Sequence, residues 1–241
     1  MGNSTRGRVF VDGRDISQDV TRIRWPRSAD MYESHGIVDT SKEFTAGMKD
    51  GGQANLELLW DDGALRSSFL RNEVATIQQF IYGPNLDTLG EEAMVVNDAI
   101  LATYERTHGS SELVASSGVL TFSQDVNEAL FLMPSTAITS SGGQTGQDNG
   151  AASSAGLTAW MQVLDITGMN AVDVIIQMDT VSNFAHPTTS ITFASVADGA
   201  EPFTVEGTAA VSIERYLRVN PTFDTPGGSP SLSIVVAILR G

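Results

Sequence analysis

Ala159-Trp160-Met161-Gln162-Val163-Leu164, then Thr167-Gly168-Met169-Asn170, then Val172-Asp173-Val174-Ile175-Ile176-Gln177-Met178: the reading of this stretch decides the fold. Two short runs rich in apolar, β-branched and aromatic residues flank a cluster of turn formers, which is the pattern of strand, turn and strand. The pattern continues outward toward the C-terminus. Ile191-Thr192-Phe193-Ala194-Ser195-Val196 ends at Asp198-Gly199, and Val211/Ile213 and Tyr216/Leu217/Val219 follow. The sequence closes on Leu232-Ser233-Ile234-Val235-Val236-Ala237-Ile238-Leu239. Short strands punctuated by Gly, Pro and Asp predict an antiparallel sandwich or barrel.

Toward the N-terminus the layout is similar, with two additions. Arg8-Val9-Phe10-Val11 runs into Asp12-Gly13, a hairpin-type turn, and Val20-Thr21-Arg22-Ile23-Arg24-Trp25 stops at Pro26. A long polar segment then extends from Arg27 to Lys49. Gln53-Ala54-Asn55-Leu56-Glu57-Leu58-Leu59-Trp60 resumes strand character. Asp61-Asp62-Gly63 then introduces Leu65, Phe69 and Leu70 at helical spacing, with Asp62 placed to cap. Further strands are expected at Thr76–Tyr82, Ala99–Tyr104 and Gly118–Phe122.

Ser135 to Gly156 consists mainly of Ser, Thr, Gly, Ala, Asn and Gln and offers little to bury, so it reads as a linker or loop. The expectation is therefore a mainly β chain of two tandem antiparallel sandwich or barrel domains. The first covers 1–134, with a short helix near 64–72 and the long Arg27–Lys49 loop. The Gly/Ser/Ala-rich stretch 135–156 follows, and the second domain covers 157–241.

The charge is lopsided: 14 Lys+Arg stand against 29 Asp+Glu in 241 residues, a formal net of −15. Grip on duplex DNA through its phosphates needs clustered Lys and Arg, and this chain has few. Beyond residue 125 the only basic residues are Arg215, Arg218 and Arg240. Arg22, Arg24 and Arg27, interleaved with Trp25, have the ingredients of a nucleic-acid patch, but Asp19, Asp30 and Glu33 surround them. A cationic strand edge facing an acidic neighbouring subunit is the competing reading. There is no cysteine, which removes disulfides, thiol nucleophiles and cysteine-ligated metals. No apolar run reaches the roughly 18 residues that a membrane helix needs, so no membrane insertion is expected.

Enzyme signatures are not found. His35, His108 and His186 sit in separate segments, and no H-E-x-x-H, G-x-S-x-G, P-loop or G-x-G-x-x-G occurs. Asp61-Asp62 near Glu57 lacks the alternating oxygen spacing of a calcium loop and suits a helix N-terminus instead. No catalytic residue, metal ligand or cofactor is expected.

The order of several stretches resembles the tail tube (major tail) proteins of long-tailed, siphovirus-like phages. Val9-Phe10-Val11-Asp12-Gly13-Arg14-Asp15-Ile16-Ser17 looks like their opening strand and turn. Asp30 to Gly47, ending in Glu43-Phe44-Thr45-Ala46-Gly47-Met48-Lys49-Asp50-Gly51, looks like their long stacking loop and the strand that follows. Leu56 to Leu65 is similar to the strand leading into their helix. Asp148 to Gly156 before Trp160-Met161-Gln162-Val163, then Arg215-Tyr216-Leu217-Arg218-Val219 and Ile234 to Arg240, complete the likeness. The sequence departs from that family where a Thr-rich stretch followed by Phe-Gly is usual. Asp30-Met31-Tyr32-Glu33-Ser34-His35-Gly36 stands there instead.

The resemblance implies a structural virion protein, made in the host cytoplasm and located in the tail. Copies would form rings, three slightly favoured over six, that stack into a tube and contact other tail proteins. Double-stranded DNA would pass through an acidic lumen as cargo, repelled rather than held. Trp25, Arg27, Tyr32, Glu33, His35, Asp39, Lys42 and Phe44 would belong to the inter-ring loop. Arg22, Arg24, Arg215 and Arg218 would meet acids across subunit interfaces. The competing classes are a capsid decoration (cement) protein, a carbohydrate-binding β-sandwich module and an unrecognised hydrolase.

Overall fold

The computed structural model describes residues 7–25, 28–33, 44–50, 52–59, 70, 73–85, 88–107, 115–123, 126–197, 203–209, 212–224 and 228–241. The first strands in chain order are β1 (Arg8–Val11), β2 (Arg14–Asp15), β3 (Val20–Arg24), β4 (Ser28–Glu33), β5 (Phe44–Asp50) and β6 (Gln53–Leu59). There follow β7 (Ile77–Gly83), β8 (Glu92–Thr107), β9 (Ala115–Phe122), β10 (Asn127–Met133), β11 (Ala137–Ile138) and β12 (Gln147–Asp148). The last are β13 (Leu157–Thr167), β14 (Ala171–Asp179), β15 (Thr188–Thr192), β16 (Val196–Ala197), β17 (Phe203–Ala209), β18 (Tyr216–Asp224) and β19 (Ser231–Arg240). The fold is mainly β, and pairing is antiparallel in each sheet. The helix expected over 64–72 lies outside the described residues except for Leu70, which is buried.

Contacts divide the chain into two compact units. One comprises 1–17, 80–95 and 127–241, the other 18–79 and 96–126. This differs from the tandem split at 134–157, and the cause is pairing between residues distant in sequence. Asn127–Leu130 of β10 pair with Glu92–Val95 of β8, and β1 pairs with β7 through Val9↔Tyr82 and Phe10↔Ile81. The N-terminal strands are thus built into the unit that holds the C-terminus.

In the first unit, β13 and β19 carry near-continuous burial because apolar residues cover both of their faces. On one face Ala159, Met161, Val163, Ile234, Val236 and Ile238 pack with Val172, Val174, Ile176, Leu217 and Val219. Those partners belong to a second sheet, ordered β12-β18-β14-β15 with β16 also on β14, so the arrangement is a two-layer sandwich. The turn at Gly168 takes the chain from one sheet to the other and does not close a hairpin: β13 pairs with β17 and β19, whereas β14 pairs with β15, β16 and β18.

On the opposite face Trp160, Val235 and Ala237 pack with Phe10, Ile81, Ala93, Val95, Ala129 and Phe131. These residues come from β1, β7, β8 and β10 of the same sheet, which therefore curls around its own apolar interior. Asp12 (φ 49°) and Gly13 (φ 75°) make the two-residue turn between β1 and β2, the geometry that an Asp-Gly pair favours. The Gly13 N–H donates to the Oε1 of buried Gln162 on β13 at 3.1 Å.

The stretch 135–156 is not a free linker. Its β11 pairs with β19 and its β12 with β18. Between them the Gly142 N–H donates to Pro221 O at 2.9 Å and the Gln144 N–H to Val219 O at 2.8 Å. The segment is an edge strap laid along β18. Two of its glycines reflect close approach: a Cβ on Gly143 would collide with the Arg218 guanidinium, and one on Gly146 with the Phe184 ring.

In the second unit, β3, β6, β9 and the later part of β8 form successive antiparallel neighbours. Ala54, Leu56, Leu58, Leu101, Leu120 and Phe122 are buried there. Gly118 is admitted between strands because a Cβ would stand 3.3 Å from Leu101 Cδ1.

Candidate assembly surfaces

The segment read as a stacking loop contains a two-stranded ribbon. β4 and β5 pair through Ser28↔Asp50, Ala29↔Lys49, Met31↔Ala46, Tyr32↔Thr45 and Glu33↔Phe44, with a register shift between Ala29 and Met31. Among the described residues this ribbon joins no other strand. A two-stranded hairpin alone is marginally stable in water and presents two unpaired edges, so it gains from a covering partner. Tyr32, Glu33 and Phe44 sit on the ribbon, at the end that leads into residues 34–43. Arg27, His35, Asp39 and Lys42 lie outside the described residues. Trp25 is at the foot, where its ring stands 5.0 Å from that of Phe122 at 53° and anchors the chain just before the ribbon.

The candidate interface arginines have neighbours within the chain. Arg22 lies opposite Glu57 in the β3–β6 register, with Nη1 3.6 Å from Oε1 and both side chains about half exposed. Exposed pairs of this kind contribute about 0–1 kcal/mol. Arg24, also exposed, stands opposite Asn55. Arg215 grips Asp148 with two parallel bonds, Nε to Oδ1 at 2.8 Å and Nη2 to Oδ2 at 2.6 Å. Arg218 donates from Nε to Gln177 Oε1 at 2.9 Å and stacks 4.2 Å from the Phe184 ring centroid. Arg215 and Arg218 thus bracket the strap: one bonds Asp148 on it, and the other fills the room left by Gly143.

Two acids outside the sequence-predicted set organise this surface. The Arg215 guanidinium, followed by the Gly150 N–H, holds the Asp148 carboxyl down to about 2. Asp179 is buried, which pushes its carboxyl up, but the N–H groups of His186, Val181 and Thr180 more than offset this and hold it low. Its Oδ2 accepts the His186 N–H at 2.8 Å and its Oδ1 the Val181 N–H at 3.1 Å. Asp179 thereby shapes the 180–187 loop that presents Phe184 to Arg218. No local motif marks Asp148 or Asp179; Gly143 and Gly146 are the sequence signal, since glycines beside a strand suggest close approach by a side chain.

His186 is exposed, while His35, His108 and the Asp61-Asp62 pair lie outside the described residues. Among the described residues no group of three or more His, Asp or Glu side chains is placed to hold a metal. None of their helices is long and apolar enough to cross a membrane.

No protein-family model matches the sequence, and no curated protein matches it. Among solved structures, the chain is similar to the sheath/tube terminator of the PVC extracellular contractile injection system in its extended state. The identity is 14% over 53% of this chain and 96% of that one, with a TM-score of 0.44. It is similar to a chain of the native gene transfer agent virion at 9% identity over 53% of this chain and 98% of that one, TM-score 0.44. Over 98% of this chain and 99% of the other, it is similar to the Dit protein of phage SPP1, described as a paradigm of the hub adsorption apparatus in phages infecting Gram-positive bacteria. There the identity is 10% and the TM-score 0.38. The likenesses are to components of phage tails, gene transfer particles and contractile injection systems.

Proposed function

We propose that the chain is a structural subunit of a phage-type tail, self-assembling into closed rings that stack through the β4–β5 ribbon into a tube for passing DNA. The observation that carries this reading is the ribbon of Ser28–Glu33 and Phe44–Asp50, which among the described residues pairs with no other strand. It falls on the stretch where the sequence resembles the inter-ring loop of tail tube proteins, and a lone ribbon gains stability when a second copy covers it. The net charge of −15 supports a conduit, because a carboxylate-rich wall repels phosphates and keeps a moving duplex from adhering. Sheet edges flanked by neighbouring copies would also be protected from uncontrolled pairing.

The preference for three copies rests on two equivalent halves, whereas the compact units are interleaved in sequence and differ in build. Ring number is therefore part of the test. Electron microscopy of the purified chain, with mass measurement of the particles, is expected to show rings of three or six copies and stacks of them. Monomers under all ionic conditions would refute the reading. Rings that never stack but coat a capsid shell would favour a decoration protein instead.

A further inference from the structure

Asn149-Gly150 is the one Asn-Gly pair in the sequence. An asparagine followed by glycine is open to ring closure, because glycine has no Cβ to shield its backbone nitrogen and adopts unusual backbone angles at little cost. The pair lies in the strap just after β12, with Asn149 half-buried and Gly150 exposed. Gly150 takes a left-handed φ of 81°, and no described atom lies within 4 Å of where its Cβ would stand. Unlike Gly143 and Gly146, it answers to no close approach, and there is room around it for a succinimide ring.

Both reacting groups are engaged elsewhere. The Gly150 N–H, whose nitrogen would attack, donates to Asp148 Oδ1 at 2.8 Å. The Asn149 carboxamide, whose Cγ would be attacked, donates from Nδ2 to Gln147 O and to Arg215 O, each at 3.3 Å. Its backbone is pinned as well: the Asn149 N–H donates to Arg215 O at 3.0 Å, and the Asn149 carbonyl accepts from Arg240 Nη1 at 2.8 Å. Arg215 also grips Asp148, which makes that carboxylate a weak base, poorly suited to strip the Gly150 nitrogen.

We propose that Asn149-Gly150 is a latent deamidation site, kept closed while Arg215 and Arg240 clamp the strap and opened when the strap lifts. Once it is open, the Gly150 nitrogen gives its proton to hydroxide and bonds to Asn149 Cγ. The Cγ–Nδ2 bond breaks, and Nδ2 takes a proton from water and leaves as ammonia. Water then opens the succinimide at either carbonyl, giving aspartate or isoaspartate. Neither product rebuilds the clamp. Both lack the Nδ2 donors and set a carboxylate among the carbonyl oxygens of Gln147 and Arg215. Isoaspartate also lengthens the backbone by one methylene and displaces the carbonyl that Arg240 holds. The modification therefore makes release of the strap permanent.

The test is peptide mapping by mass spectrometry of the full chain aged in mildly alkaline buffer, beside a synthetic peptide of residues 145–153. The peptide lacks the clamp, and its Asn149 should convert at least about tenfold faster than that of the chain, the factor for about 1.4 kcal/mol of local opening. Arg215→Ala should bring the rate in the chain toward that of the peptide. Ile81→Val, which weakens the curled sheet away from the strap, should leave it near the wild type. Equal rates in chain and peptide, or no acceleration by Arg215→Ala, would overturn the proposal. So would equal acceleration by Ile81→Val, which would make the opening global. If circular dichroism shows Arg215→Ala unfolded, the comparison of chain with peptide and the Ile81→Val rate decide.

Discussion

Asp148 and Arg215, 67 residues apart, are joined by two parallel hydrogen bonds of 2.8 and 2.6 Å. The pair fastens the strap to the start of β18, beside the backbone bond from the Asn149 N–H to Arg215 O at 3.0 Å. Because the guanidinium holds the Asp148 carboxyl to about 2, against an ordinary value of 3.8, the folded state binds that proton more weakly than the unfolded chain. The pair's contribution is therefore fully present above pH 3.8 and is lost as the pH falls through about 2. Thermal melts of the wild type and Asp148→Asn between pH 2 and 5 should differ most at the upper end and converge at the lower. A difference that grows on acidification would contradict this account.

Gly168 is fixed twice over. Its φ of 70° is left-handed, and a Cβ would stand 2.6 Å from the Ser229 carbonyl oxygen. Gly168→Ala should cost about 2 kcal/mol or more, from strain and overpacking at the crossing between sheets. Denaturant unfolding measures it.

Phe131 lies fully buried inside the curled sheet. Phe131→Ala should cost about 3–5 kcal/mol. Val181→Ala, on the exposed 180–187 loop, should stay within about 0.5 kcal/mol. Comparable losses at the two sites would contradict the assignment of the interior.

Gly143→Ala should displace Arg218 from Gln177 and from the Phe184 ring, because the added methyl occupies the guanidinium's place. A loss of about 1–3 kcal/mol is expected. Arg218→Ala in the Gly143→Ala background should then cost much less than in the wild type, a coupling that a double-mutant cycle reads.

The strands were legible because burial follows composition locally. Apart from Ser233, Leu232–Leu239 is a run of apolar, mostly branched residues, and it forms the centre of β19 with both faces covered. Periodicity reports that a strand is buried but not which sheet receives it, so the Gly168 turn could be located without knowing that it changes sheets. The domain boundary was hidden for a related reason. Asn127–Leu130 choose Glu92–Val95 as partners, and a pairing over that separation leaves no mark in either stretch. Residues 135–156 read as a linker because glycine signals both freedom and close approach. The partners that distinguish the two, Arg218 and Phe184, lie far along the chain. Arg215 and Arg218 looked available for a neighbour for the same reason: Asp148 and Gln177 come to them only through the fold.

The proposed stacking of copies rests on the β4–β5 ribbon. Its most direct test is electron microscopy of the full chain beside a variant lacking Glu33–Lys42, with circular dichroism confirming that both retain their β fold. Stacked tubes are expected from the full chain, and single rings or smaller oligomers from the variant. Tubes of equal length from both would contradict this role of the ribbon.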